Sequence, residues 1–204
     1  MMAERKAKIT VLVSGGGTNL QAILDAEKSG IINSGEVSLV ISNKSDAYAL
    51  TRAANAGVKT AVVSRMDYPD AKGFEKKLIE TIDSNGTDLI VLAGFMVILS
   101  ENFTRHYDHK IINIHPSLIP SFCGEGFYGL RVHEAALAKG VKVTGATVHF
   151  VNEIPDGGEI IMQKAVYIED GDTPEILQRR VMEQAEWQIL PESIEKVCSK
   201  IICK

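Results

Sequence analysis

Asn113 and His115 stand two residues apart at the end of the apolar run Lys110-Ile111-Ile112, just ahead of Pro116 and Ser117. The β-branched residues spell a strand. The proline fixes φ and removes a backbone donor, so the strand stops there. Residues i and i+2 of a strand point to one face. An amide donor and a titratable imidazole therefore sit side by side at a strand's C-terminal end. Such a pair can donate to an oxyanion and move a proton. It can equally be two polar groups satisfied inside a turn.

A second chemical stretch is Ser14-Gly15-Gly16-Gly17-Thr18-Asn19. It follows the strand-like run Ile9–Val13 and leads into a helical stripe of Leu20, Ile23 and Leu24. Backbone N–H groups at a strand–turn–helix junction point outward, and the helix dipole favours an anion there. Thr18 and Asn19 can add side-chain donors. The spacing is neither a G-x-G-x-x-G fingerprint nor a G-x-x-x-x-G-K-[ST] loop, so a single phosphate monoester suits it better than a dinucleotide. The plainer alternative is a tight turn whose glycines only relieve strain.

Both stretches depend on elements that hold strand ends together. Further strands are expected at Val37–Ser42, Thr60–Val63 and Asp88–Ala93, with helices at Asp46–Ala56 and Lys72–Asn85 between them. That alternation predicts an α/β fold with a parallel sheet, and ligands in such sheets gather at the strands' C-terminal ends. The apolar run Phe95–Leu99 lies just past one such end and reads either as pocket lining or as a short core helix. A long Pro- and Gly-containing loop, 117–129, leads to a helix at Leu130–Lys139. Its Cys123 has no base nearby in sequence and makes a weak nucleophile. Lys142–Val151 and Ile160–Ile168 alternate as strands joined by a short loop, hence antiparallel neighbours. His149 reads as a supporting rather than a catalytic histidine. Thr173 and Pro174 suit the N-cap and first position of a helix running to about Leu190, with Pro191 as a kink or restart.

The chain has 204 residues, 45% hydrophobic and 24% charged, with a net charge of −4. These values predict one domain, residues 1–204, with no nucleic-acid partner and no membrane span. Three scattered cysteines form no disulfide or zinc spacing, and no metal-ligand cluster is visible. The cytoplasm is the expected compartment.

The motifs SGGGTNLQA, AGFMVIL, NIHPSLIP, GATVHFV and PDGGEII occur in that order. Together they resemble the phosphoribosylglycinamide formyltransferases of purine biosynthesis. The resemblance implies a formyltransferase fold, a Rossmann-like parallel half followed by a mixed-sheet half with a C-terminal helix. It implies formyl transfer from the cosubstrate 10-formyltetrahydrofolate to the glycyl amine of glycinamide ribonucleotide, with no metal. Both partners would be small molecules, and the enzyme a monomer or weak homodimer. Asn113, His115 and Asp156 fall on the catalytic positions, with Asp156 expected to raise the His115 pKa. Gly16, Gly17, Thr18, Asn19, Thr147 and Glu186 fall on substrate-binding positions. Lys72, Met96, Val97, Ile98, Leu99, Asn113, Val151, Glu153 and Ile154 fall on folate-binding ones.

Some residues depart from the family pattern. Val97 stands where a basic residue is frequent, and Lys72 or Arg65 would supply the basic contact to the folate tail. The Val181-to-Glu186 spacing is one residue longer. Loop CGEGFYG exceeds that of some members. A formyltetrahydrofolate hydrolase or a methionyl-tRNA formyltransferase of the same fold is the alternative. Those enzymes are expected to carry an added N-terminal or C-terminal domain. A non-catalytic phosphosugar- or folate-binding protein would keep the glycine turn but lack the Asn, His or Asp.

Overall fold

β1 (Ala7–Val13) is flanked on one side by β2 (Gly35–Ser42) and then β3 (Lys59–Val62), and on the other by β4 (Leu89–Leu92) and β5 (Ile111–His115), all parallel. The computed structural model describes residues 5–203. β6 (Val143–Phe150) and β7 (Ile160–Tyr167) continue the sheet antiparallel, giving seven strands in the order 3-2-1-4-5-6-7. The Rossmann-like half and the mixed half are thus one continuous sheet.

Alternation along β1 explains the layering. Ile9, Val11 and Val13 enter a core shared with α1 (Thr18–Ser29) and the C-terminal helices. Leu12 enters the opposite core, built on Phe74, Leu78 and Ile82 of α3 (Ala71–Ser84). With both faces covered, the strands are apolar throughout rather than alternating. Burying each such side chain stabilises the fold by about 1.5–3 kcal/mol relative to exposure.

Several helix boundaries follow their signals. Ser100 caps α4 (Glu101–His106) by accepting from the Phe103 N–H, and Thr173 caps α6 (Pro174–Val181) by accepting from the Ile176 N–H. α2 (Tyr48–Asn55) and α5 (Leu130–Lys139) complete the set before the C-terminus. There the expectation needs correction. The helix does not break at Pro191: a π-helical turn, Met182–Glu186, follows α6, and α7 (Trp187–Ile202) runs straight through the proline. Trp187, four residues before Pro191, has ψ of −5°, which turns the carbonyl that would otherwise meet the proline ring.

The strand order fixes where a site forms. The chain leaves β1 towards β2 on one side and returns to β4 on the other, so a crevice opens between the C-terminal ends of β1 and β4. Ser14, at the end of β1, accepts through Oγ from the Met96 N–H at 2.9 Å, joining the glycine turn to the segment after β4. β5 lies next to β4 and delivers Asn113 and His115 to the same edge.

Candidate active site

Asn113 and His115 share a face of β5, as their spacing requires, and both meet residues from across the sheet. In the β5–β6 register Asn113 lies opposite His149 and His115 opposite Thr147. The Asn113 amide donates to His149 Nε2 at 3.2 Å. His149 Nδ1 lies 2.8 Å from its neighbour's carbonyl, Phe150 O. That oxygen can only accept, so Nδ1 carries the hydrogen and Nε2 is free to accept from Asn113.

Asp156 bridges the two histidines. Oδ2 lies 3.4 Å from His115 Nδ1, and Oδ1 lies 3.4 Å from His149 Nε2. Its position comes from turn chemistry. Pro155 and Asp156 occupy the central positions of a turn closed by the Gly157 N–H to Ile154 O, with Asp156 at φ 55°. Proline second and a positive φ third is the type II pattern, and aspartate is one of the few L-residues that tolerates that region. Gly158 then lets the chain pass β6: a Cβ there would lie 1.9 Å from Phe150 O.

The 117–129 loop closes over this cluster. His115 Nε2 donates to Phe122 O at 2.9 Å, and the Gly124 N–H donates to Asp156 Oδ2 at 2.8 Å. Thr147 anchors the loop. Its hydroxyl donates to Ser117 O at 2.6 Å and accepts from the Ile119 N–H and from Gln163 Nε2. One donor and two acceptor sites are all a hydroxyl has. Thr147, expected to bind substrate, spends its hydroxyl here on the loop and Gln163.

The electrostatics also differ from expectation. His115 is only 4% exposed, and burial pushes its pKa below the ordinary value; the charge of Asp156 pulls upward without overcoming it. Burial pushes the Asp156 carboxyl up, but the neighbouring His149 side chain, the charge of His115 and the Gly124 N–H prevail and hold it below the usual carboxylate range. Asp156 thus raises His115 relative to what burial alone would give, not above its ordinary value. Cys123 donates to Pro120 O and its thiol pKa is pushed up, first by burial and then by Asp156, which leaves it unactivated.

Of the residues expected to bind substrate, those of the glycine turn and Glu186 come together. Asn19 Nδ2 donates to Glu186 Oε2 at 2.6 Å, joining the first turn of α1 to the π turn. Glu186 is buried, and desolvation pushes its pKa up to about 7 despite that hydrogen bond. Asn19 Oδ1 is buried without a partner among the described residues. Gly16 has open space where a side chain would stand. Gly17 has φ 72°, and a Cβ there would fall 2.6 Å from that of Ala49. Thr18 opens α1, with its hydroxyl turned to Met182 Sδ at 3.8 Å.

The residues expected to contact folate divide between packed and exposed positions. Residues 95–99 form an irregular segment with a bend at Val97, which excludes the core-helix reading. Phe95, Val97, Leu99 and Val151 pack on the second core, while Met96, Ile98 and Ile154 remain exposed. Glu153 is exposed too. Lys72 lies exposed in the first turn of α3, one turn before Glu75, which accepts from the Ser100 N–H and hydroxyl. Arg65 is occupied locally by Tyr68 O.

Sequence reasoning did not pair the supporting His149 with Asn113. Its register with Asn113 held the signal, since residues directly opposite across an antiparallel pair share a face. It did not single out the Phe122 carbonyl or the Gly124 N–H, which become visible only once the loop is folded back. Grooves of about 560 and 630 Å³ flank α1 and both include Arg52, whereas the Asn–His–Asp cluster lies under the loop. Among the described residues no group of His, Cys, Asp and Glu side chains is placed to hold a metal ion, and no helix is long and apolar enough to cross a membrane.

Known proteins resemble this chain in sequence and fold. Residues 7–194 match the family model described as formyl transferase. A Haemophilus influenzae phosphoribosylglycinamide formyltransferase is 45% identical over 90% of this chain and 84% of its own length. A Bos taurus trifunctional purine biosynthetic protein is 43% identical over 96% of this chain, which spans only 19% of that relative. The crystal structure of glycinamide ribonucleotide transformylase 1 from Symbiobacterium toebii superposes with a TM-score of 0.89 at 43% identity, covering 96% of this chain and 89% of that one. With nearly its whole length matched in sequence and fold, the chain belongs to the formyl transferase family.

Proposed function

We propose that this protein transfers the formyl group of 10-formyltetrahydrofolate to the glycyl amine of glycinamide ribonucleotide. The observation that carries the reading is the Asn113–His149–Asp156–His115 cluster, one strand away from the crevice holding the glycine turn and the Asn19–Glu186 pair.

In this reading the ribonucleotide phosphate sits on the N–H groups of Gly16, Gly17 and Thr18. Asn19 and Glu186 take the adjoining polar groups. The pterin lies on the apolar wall of Met96–Leu99 and Val151–Ile154, with Lys72 reaching its acidic tail. Attack of the amine on the formyl carbon builds negative charge on the formyl oxygen. Asn113 keeps one amide N–H beyond its bond to His149, and donates it there. His115 Nε2 exchanges its bond to Phe122 O for the same oxygen. The proton lost by the amine passes through a bridging water to the leaving folate nitrogen, while Asp156, beside Nδ1, keeps the His115 ring turned with Nε2–H on that oxygen. Preorganised donors of this kind contribute roughly 3–4 kcal/mol each. The same reading carries a cytoplasmic enzyme that is a monomer or weak homodimer.

Steady-state kinetics test it. His115→Ala and Asp156→Asn are each expected to lower kcat by roughly 100- to 1000-fold with a smaller change in KM. Near-normal turnover by either variant refutes the assignment. Formate release without ribonucleotide, at the rate seen with it, would instead make the protein a hydrolase.

A further inference from the structure

The glycine turn is held from behind by α2. The Gly15 carbonyl accepts from the Ala49 N–H at 3.1 Å, and the Gly17 carbonyl accepts from the Gln21 N–H at 2.9 Å. Between them, the Gly16 carbonyl accepts from Arg52 Nε at 2.8 Å. The second arm of the guanidinium, Nη1, donates to Gln21 Oε1 at 3.0 Å, and the ring of Tyr48 lies 5.0 Å beneath its carbon. Arg52 is thereby fixed from several directions.

A trans peptide points its C=O and the following N–H in opposite directions. Turning the Gly15 and Gly16 carbonyls towards α2 therefore aims the N–H groups of Gly16 and Gly17 the other way. Neither N–H has a partner among the described residues, and no atom lies within 4 Å of where a Gly16 Cβ would be. Without Arg52 the Gly16 carbonyl would have no donor, and the 16–17 peptide would be free to rotate its oxygen towards an incoming anion.

We propose that Arg52 is a positioning residue that sets the peptide polarity of the glycine turn, so that its N–H groups face the substrate phosphate. The proposal rests on reading that turn as the phosphate site. Arg52 does not touch the phosphate; it acts through the Gly16 carbonyl.

The test combines kinetics with amide NMR in the full chain, using inorganic phosphate as the probe. In the wild type, phosphate is expected to shift the Gly16 and Gly17 amide resonances. In Arg52→Met those shifts shrink, phosphate affinity falls about tenfold, and KM for the ribonucleotide rises about tenfold with kcat within about twofold. The effect persists at about 0.5 M salt, where a through-space charge is screened. Arg52→Lys, which keeps a donor for Gly16, recovers at least about threefold of the loss. Unchanged KM and phosphate binding in Arg52→Met overturn the proposal. So does a loss that vanishes at high salt, which would make Arg52 a distant charge, or an equal loss in the Lys and Met variants, which would make it packing. Wild-type Gly16 and Gly17 amides that ignore phosphate overturn the phosphate site itself, and the inference with it.

Discussion

Glu186→Gln is expected to stabilise the protein at alkaline pH and to leave it nearly unchanged in acid. Glu186 is 6% exposed, its carboxyl accepts from Asn19, and its pKa is pushed from 4.5 up to about 7. Below about pH 4.5 the group is protonated in both folded and unfolded chains and costs nothing. As pH rises, the unfolded chain ionises first, and above about pH 7 the native state must also carry a buried carboxylate. The contribution present in acid is thus lost through that window, by about 3 kcal/mol in full. Glutamine keeps the acceptor for Asn19 and never ionises. Urea unfolding at about pH 5 and about pH 8 should therefore show wild type losing roughly 2–3 kcal/mol relative to the variant. Parallel pH profiles, within about 0.5 kcal/mol, would refute the claim that burial governs this carboxyl. On the reading proposed above the stabilised variant also binds ribonucleotide more weakly, because a side chain held in a costly state for binding is released from it.

Two further outcomes follow from groups outside the reacting cluster. His133 is fully buried with neither ring nitrogen partnered among the described residues, and burial, then His115, lowers its pKa to about 4. The unfolded chain takes up a proton there as pH falls below about 6.5 while the native state does not, so stability is lost between about 6.5 and 4. His133→Leu should flatten the acid limb of a urea-midpoint profile by up to about 3 kcal/mol, and an unchanged limb would assign acid unfolding elsewhere. Thr147→Val leaves the Ile119 N–H, Gln163 Nε2 and Ser117 O short of a partner. It should cost about 2 kcal/mol or more and speed amide exchange in the 117–124 loop; exchange at the wild-type rate would show that the loop is held by other contacts.

The strand of Asn113 and His115 was readable because β-branched residues, a proline and a two-residue spacing each act locally. The glycine turn and the cap at Thr173 were readable for the same reason: a strained φ or an orphan N–H is met by residues close in sequence. Pro191 misled because its local meaning was overridden. The π turn before it moved the conflicting carbonyl, and no residue near the proline announces that turn.

The sequence by itself determined the parallel half, the strand end that presents an amide and an imidazole, and the turn suited to a phosphate, since each is a statement about neighbours along the chain. Only the tertiary structure decided that Asp156 reaches two histidines rather than one, that Thr147 serves the loop, and that Arg52 donates to the Gly16 carbonyl. Only it decided that burial outweighs Asp156 in setting the charge of His115. Those outcomes turn on distances of a few ångströms between residues tens of positions apart, and on how much water folding removes around them, neither of which is written in any local pattern.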